Sequence, residues 1–119
     1  MVFTRNYIAG DATCNDIDAI APKAGIVLEL KKPRSELAQW YPWREDCANY
    51  NVIAWIGQQL GWRAITIAYN EDIPHNASLF KEVRCTSPSK RLTFHERRDL
   101  FLNDDSSFVR SLRNAFAQL

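Results

Sequence analysis

Glycine and histidine are scarce in this 119-residue chain, which has four of the first and two of the second. Four glycines leave little room for a P-loop, a dinucleotide-binding glycine pattern or a nucleophile elbow, and none of these occurs. His75 and His95 show no zinc-type spacing with each other or with the cysteines. Cysteine is equally sparse. Cys14, Cys47 and Cys85 are odd in number and far apart, which reads as reduced thiols rather than a disulfide framework. No apolar run approaches the ~20 residues that span a bilayer. Met1-Val2-Phe3-Thr4-Arg5 opens onto no signal-peptide core, so a cytoplasmic location is expected. Excess charge is also missing: the net charge is +1. A mild asymmetry hides beneath it, since residues 81–119 hold eight Lys/Arg against five Asp/Glu. Such a balance permits a phosphate partner without demanding one.

What is present is an ordinary globular composition, 46% hydrophobic and 24% charged, long enough for one domain over residues 1–119 with its own core. Val2–Ala9 reads as a first strand and Cys14–Ala21 as a second. After the Pro22-Lys23-Ala24-Gly25 turn, Ile26–Lys31 reads as a third, ended by Pro33. Ser35 then suits the cap of a short helix reaching Gln39 or Trp40. A longer helix is predicted from Glu45 to Leu60, with Ala48, Val52, Trp55, Ile56 and Leu60 as its apolar stripe and Gly61 as its stop. Arg63–Tyr69 is a β-branched, alternating strand, residues 70–76 are loop, and Leu79–Thr86 is a further strand. Thr93 suits the cap of a helix over Phe94–Leu102, and Asp105 or Ser106 that of a last helix over Ser107–Gln118. Phe108, Leu112, Ala115, Phe116 and Leu119 line that last helix. The expected fold is α/β: a single-domain sandwich with a mixed sheet, a β-β-β-α-β core, packed helices and a helical C-terminus.

The residues that carry chemistry are Asp18 and, ten residues on, Glu29-Leu30-Lys31. Alternation puts Glu29 and Lys31 on one strand face and Ile26, Leu28 and Leu30 on the other. Antiparallel pairing of the second and third strands would bring Asp18 beside Glu29. Two carboxylates suit a hard divalent cation such as Mg²⁺, with Asp18 and Glu29 as its ligands and Asp16 as an alternative. Lys31 would orient or deprotonate a water and offset charge in a phosphodiester transition state. The plainer reading is an ion pair between Glu29 and Lys31 on a solvated sheet face.

The order β-β-β-α-β, with an acid on the second strand and Glu-x-Lys on the third, resembles the PD-(D/E)xK superfamily of restriction-endonuclease-like nucleases. The resemblance covers residues 1–70 and rests on Asp18, Glu29, Lys31, the run Leu28-Glu29-Leu30-Lys31-Lys32-Pro33, and Gln58 or Gln59 in the following helix. It implies a metal-dependent nuclease with Asp18, Glu29 and Lys31 as catalytic residues. The chain departs from the pattern in having Asn15-Asp16-Ile17-Asp18 where a Pro-Asp pair is usual, and only a handful of residues before the first strand.

Other groups support other readings. Lys32 and Arg34 would begin a basic cleft beside Lys31, and Lys90, Arg91, Arg97 and Arg98 could touch nucleic-acid phosphates. Trp40, Tyr41 and Trp43 form an aromatic cluster suited to a protein partner or to base stacking, or else to covering a helix junction. That cluster, with the near-neutral charge, fits a non-catalytic binding module such as a bacterial or phage immunity or inhibitor protein. Cys47, at a helix start, with His75 as base and Asn76 or Asp72 as orienter, has the ingredients of a papain-like cysteine hydrolase.

Overall fold

A computed structural model describes residues 13–15, 18–21, 23–43, 47–86 and 91–119, with side chains from residue 23 onward. The first predicted strand, Val2–Ala9, lies outside these residues. The described chain runs β1 (Thr13–Asn15), β2 (Asp18–Ala21), β3 (Ile26–Lys31), a 3₁₀ turn at Leu37–Gln39, α1 (Cys47–Leu60), β4 (Arg63–Tyr69), β5 (Asn76–Lys81), β6 (Arg84–Thr86), β7 (Arg91–Thr93), β8 (Glu96–Phe101) and α2 (Asp105–Gln118). Six strands form one sheet in the order β1-β2-β3-β4-β5-β8, and β6 and β7 form a separate hairpin. The β3–β4 pair is parallel, with α1 as its crossover, and every other neighbour is antiparallel. The expected α/β sandwich with a mixed sheet and a C-terminal helix is the fold observed.

The sheet is covered on both faces, which explains the unbroken burial of β4 from Ala64 to Ala68. On one face Ile26, Leu28, Ile65, Ile67, Leu79 and Leu100 meet Phe108, Leu112, Ala115 and Leu119 of α2. Large apolar side chains of this kind stabilise by about 1.5–3 kcal/mol each when fully buried. On the other face Val27 and Ala64 pack against Ile53 of α1, while Ala68 and Phe80 meet Leu37, Trp40, Tyr50 and Val83. Arg63 ties β4 to the end of α2. Its guanidinium donates to the carbonyls of Phe116, Leu119 and Ala24, the last two at 2.8 Å. A cation is suited to those C-terminal carbonyls, where the helix dipole is negative.

Four expectations are corrected. The single strand Cys14–Ala21 is two strands that pair with each other, Asn15 opposite Asp18. Ser35 is not the cap of the turn that follows: that turn is 3₁₀, its N-cap is Glu36, and it lacks a side-chain cap hydrogen bond. The strand over Leu79–Thr86 breaks at Glu82, whose φ is 55° and which hydrogen-bonds back to Ala64 through both backbone and carboxylate. Phe94–Leu102 is not helical, because β8 supplies the partner that β5 needs. Its Glu, Arg and Leu residues are good helix formers, but tertiary pairing overrides a weak local preference.

Helix α1 also turns differently from its predicted stripe. It buries Tyr50, Ile53, Ala54 and Gly57, whereas Val52, Trp55 and Leu60 are exposed. Small residues let this side sit close to the start of β4: a Cβ on Gly57 would lie 2.9 Å from the Trp62 carbonyl oxygen and 3.6 Å from the Ala64 Cβ. Gly61 ends the helix as predicted, at φ 70°, with the Trp62 amide donating to the Gly57 carbonyl at 2.7 Å.

The reduced-thiol reading is overturned as well. Cys47, at the start of α1, and Cys85, in β6, form a disulfide with Cα atoms 5.4 Å apart. Asn51, one turn along the same helix, explains how the two meet. Its side chain donates to the Cys85 carbonyl at 3.0 Å and accepts from the Cys85 amide at 2.9 Å, standing in for a neighbouring strand.

Candidate functional site

In β3 the alternation predicted from sequence places Val27, Glu29 and Lys31 on the α1 face. Glu29 lies beside Thr66 of the parallel strand β4, and Lys31 beside Ala68. Glu29 is only 7% exposed and Thr66 3%. The Lys31 ammonium stands 3.2 Å from the Glu29 carboxylate and 5.5 Å from the ring centre of Tyr50, in the first turn of α1. The pair is therefore roofed by the helix and does not lie on a solvated face. Desolvating two opposite charges costs several kcal/mol that their attraction repays only in good geometry.

The antiparallel register Ala19↔Leu28, Ile20↔Val27, Ala21↔Ile26, carried one residue further, brings the backbone of Asp18 level with Glu29. The Asp18 side chain and all of Asp16 lie outside the described residues. Among the described residues no group of three His, Cys, Asp or Glu side chains gathers as a metal site. Glu29 and Lys31 lie in the C-terminal half of the parallel pair's first strand, the end at which α/β sheets commonly bind ligands.

The segment leaving β3 builds two clefts beside this pair. One, of about 470 Å³, is lined by Lys31, Lys32, Arg34, Trp40 and Trp43 among others. The second, of about 430 Å³, lies along Lys32–Glu36 and is closed by Asn70, Glu71, Asp72 and Ile73. Lys32 bonds Glu71 at 2.8 Å, and that hydrogen bond, with Glu71's charge, raises the lysine's pKa above its ordinary value. Arg34 is exposed and makes no ion pair among the described residues.

The aromatic cluster divides. Trp40 is buried edge-on against Phe80 at 5.5 Å, while Tyr41 and Trp43 are 55% and 60% exposed. Arg97 fastens this segment to the sheet. It donates to the carbonyls of Trp40 and Leu37 at 2.9 and 2.6 Å, lies over the Tyr41 ring at 4.8 Å and pairs with Asp99 at 3.0 Å. Arg98, its neighbour, faces the α2 side and bonds Gln118 and Glu96, both at 2.6 Å. The two arginines thus belong to opposite faces of the sheet. Arg91 is exposed on the β6–β7 hairpin, and Lys90 lies outside the described residues. The cysteine-hydrolase arrangement is not assembled: the Cys47 sulfur is bonded to Cys85, and His75 turns to Asp105 at 2.7 Å.

Thr66 and Tyr50 were not singled out in the sequence. Thr66 carries a visible signal, as the one hydroxyl within Ala-Ile-Thr-Ile-Ala. Tyr50 carries none, because only the rotation of α1 brings it to Lys31. Set against protein-family models, curated proteins and solved structures, the chain matches none.

Proposed function

We propose that this chain is a nuclease-like protein that binds or cleaves nucleic-acid phosphodiesters at Asp18, Glu29 and Lys31, with Mg²⁺ or a similar cation. One observation carries this reading: the Lys31 ammonium, 3.2 Å from the largely buried Glu29 carboxylate, belongs to a residue that also lines a cleft with Lys32 and Arg34. A merely solubilising ion pair gains nothing from such burial. The donor set suits a hard cation, since Glu29 offers carboxylate oxygen and the β2–β3 register, extended one residue past Ala19↔Leu28, would bring Asp18 opposite it. A bound divalent cation would screen phosphate charge and lower the pKa of a coordinated water. Glu29 and Asp18 would hold that cation. Lys31 would donate a hydrogen bond to a phosphate oxygen or to the attacking water, and Tyr50 would limit where its ammonium can go.

The test is thermal melting with added Mg²⁺ or Mn²⁺, wild type against Glu29→Ala and the near-isosteric Glu29→Gln, with nucleic-acid cleavage assayed alongside. The cation is expected to raise the melting temperature of the wild type alone, with cleavage following the same pattern. A melting temperature indifferent to metal in the wild type would refute the reading.

A second reading, a non-catalytic module that binds a protein, is favoured by the exposure of Tyr41 and Trp43. It predicts that nucleic acid and metal are both ignored.

A further inference from the structure

Two clefts flank the strap that leaves β3, and their linings differ in sign. Lys32 and Arg34 line both, but the one bounded by Glu36, Glu71 and Asp72 adds three carboxylates, and Glu71 holds the Lys32 ammonium at 2.8 Å. The other, among the described residues, has no acidic side chain in its lining, and sets Lys31, Lys32 and Arg34 against Trp40 and Trp43. Trp40 is a rigid wall, buried against Phe80, whereas Trp43 offers its indole to solvent at 60% exposure. Lys31 belongs both to this cleft and to the Glu29 pair, so an occupant of the cleft meets the residue that neighbours the carboxylate.

We propose that the occupant is single-stranded nucleic acid, with one base stacked on Trp43, a phosphate on Arg34, and the backbone led to Lys31. This deepens the nuclease-like reading and rests on it for the chemistry, though not for the binding. Charge complementarity favours a polyanion here and disfavours it in the neighbouring acidic cleft. The aromatic wall selects the strand state. An indole stacks on a base only when the base's face is free, and within a duplex both faces are covered by neighbouring pairs. A groove of cations alone would accept either form.

The test is fluorescence anisotropy in EDTA, with a fluorescein-labelled thymidine strand of about twelve nucleotides and a blunt duplex of the same length, within the usual site sizes of such proteins. The strand is expected to bind tighter than the duplex. Trp43→Ala should weaken strand binding by roughly fivefold or more, the range of one base–aromatic stack. Arg34→Gln should lower the slope of log affinity against log salt by about 0.7, one single-strand phosphate contact. Trp55→Ala should change nothing, because Trp55 is equally exposed but lies on α1 outside the cleft. Duplex binding equal to or tighter than strand binding, or a silent Trp43→Ala, would overturn the proposal. Glu29→Gln separates the two readings. This variant should keep strand binding and lose Mg²⁺-dependent cleavage, whereas wild-type strand binding without any such cleavage keeps the groove and removes the nuclease. Cleavage by the wild type, together with strand binding indifferent to Trp43, removes the groove alone.

Discussion

Reducing the Cys47–Cys85 bond is the perturbation whose size follows most directly from the chain. The bond joins residues 38 apart. In the loop-closure model, closing a loop of that length removes unfolded-state entropy worth roughly 4 kcal/mol at 25 °C. A domain of this size is stable by about 6–18 kcal/mol in total, so the bond represents between a quarter and two thirds of the whole. At the usual unfolding entropy per residue this corresponds to a fall of about 15 °C in melting temperature. The assay is thermal unfolding with and without a phosphine reductant, for the wild type and for Cys47→Ser with Cys85→Ser. Reductant should lower the wild-type midpoint to that of the double variant and leave the double variant unmoved. Thiol titration in denaturant without reductant should count one thiol, that of Cys14. Three thiols, or a midpoint insensitive to reductant, would refute the reasoning. The outcome also bears on compartment, because such bonds persist where conditions are oxidising. No helix of the described residues is long and apolar enough to cross a membrane.

Two further predictions concern the α2 side of the sheet. Arg63→Met removes a charged donor from the Phe116, Leu119 and Ala24 carbonyls. It should lower stability in urea unfolding by about 2–3 kcal/mol, the range for hydrogen bonds to charged groups, and a loss below about 0.5 kcal/mol would show that water replaces the guanidinium freely. Asp104 caps α2, and its pKa is lowered by hydrogen bonds from the Ser107 backbone amide and then from the Ser107 hydroxyl. A depressed carboxylate contributes stability that is complete above its unfolded pKa and lost as pH falls through the folded value. Asp104→Ala should therefore be less stable than wild type at pH 6, with the gap closing as the solution is acidified below the ordinary carboxylate range. A gap independent of pH in melts between pH 6 and 2 would exclude the cap as its source.

The parts of this fold that were legible in the sequence are those where local pattern and burial agree. Arg63–Tyr69 alternates and lies mid-sheet; Phe108, Leu112, Ala115 and Leu119 recur at helical spacing and face the core. Gly61 sits at the positive φ that stops a helix. The parts that were hidden depend on partners remote in sequence. Nothing in Glu96-Arg97-Arg98-Asp99 announces a strand until Ser78 stands opposite Asp99 and donates to its carboxylate at 2.7 Å. The two apolar stripes of α1 could not be ranked by hydrophobicity, since the buried one contains Ala54 and Gly57 and the exposed one Val52, Trp55 and Leu60. Closeness of approach decided between them. Within the site, the shared face of Glu29 and Lys31 follows from strand periodicity alone, whereas the burial of the pair required α1 above it.

That roof and the disulfide are two consequences of how the first turn of α1 is placed. Cys47 and Asn51 are one helical turn apart, on the same side, and both hold Cys85 of the β6–β7 hairpin. Tyr50, turned from them toward the sheet, is buried and lies against Lys31. The covalent bond therefore fixes the end of the helix that confines the Lys31 ammonium beside Glu29. A lysine on a flexible four-carbon stem is a weak positioning group unless something limits its rotamers. Here the limit is an aromatic ring carried by a helix end that is itself pinned. The disulfide at the start of α1 therefore bears on the Lys31–Glu29 pair through Tyr50.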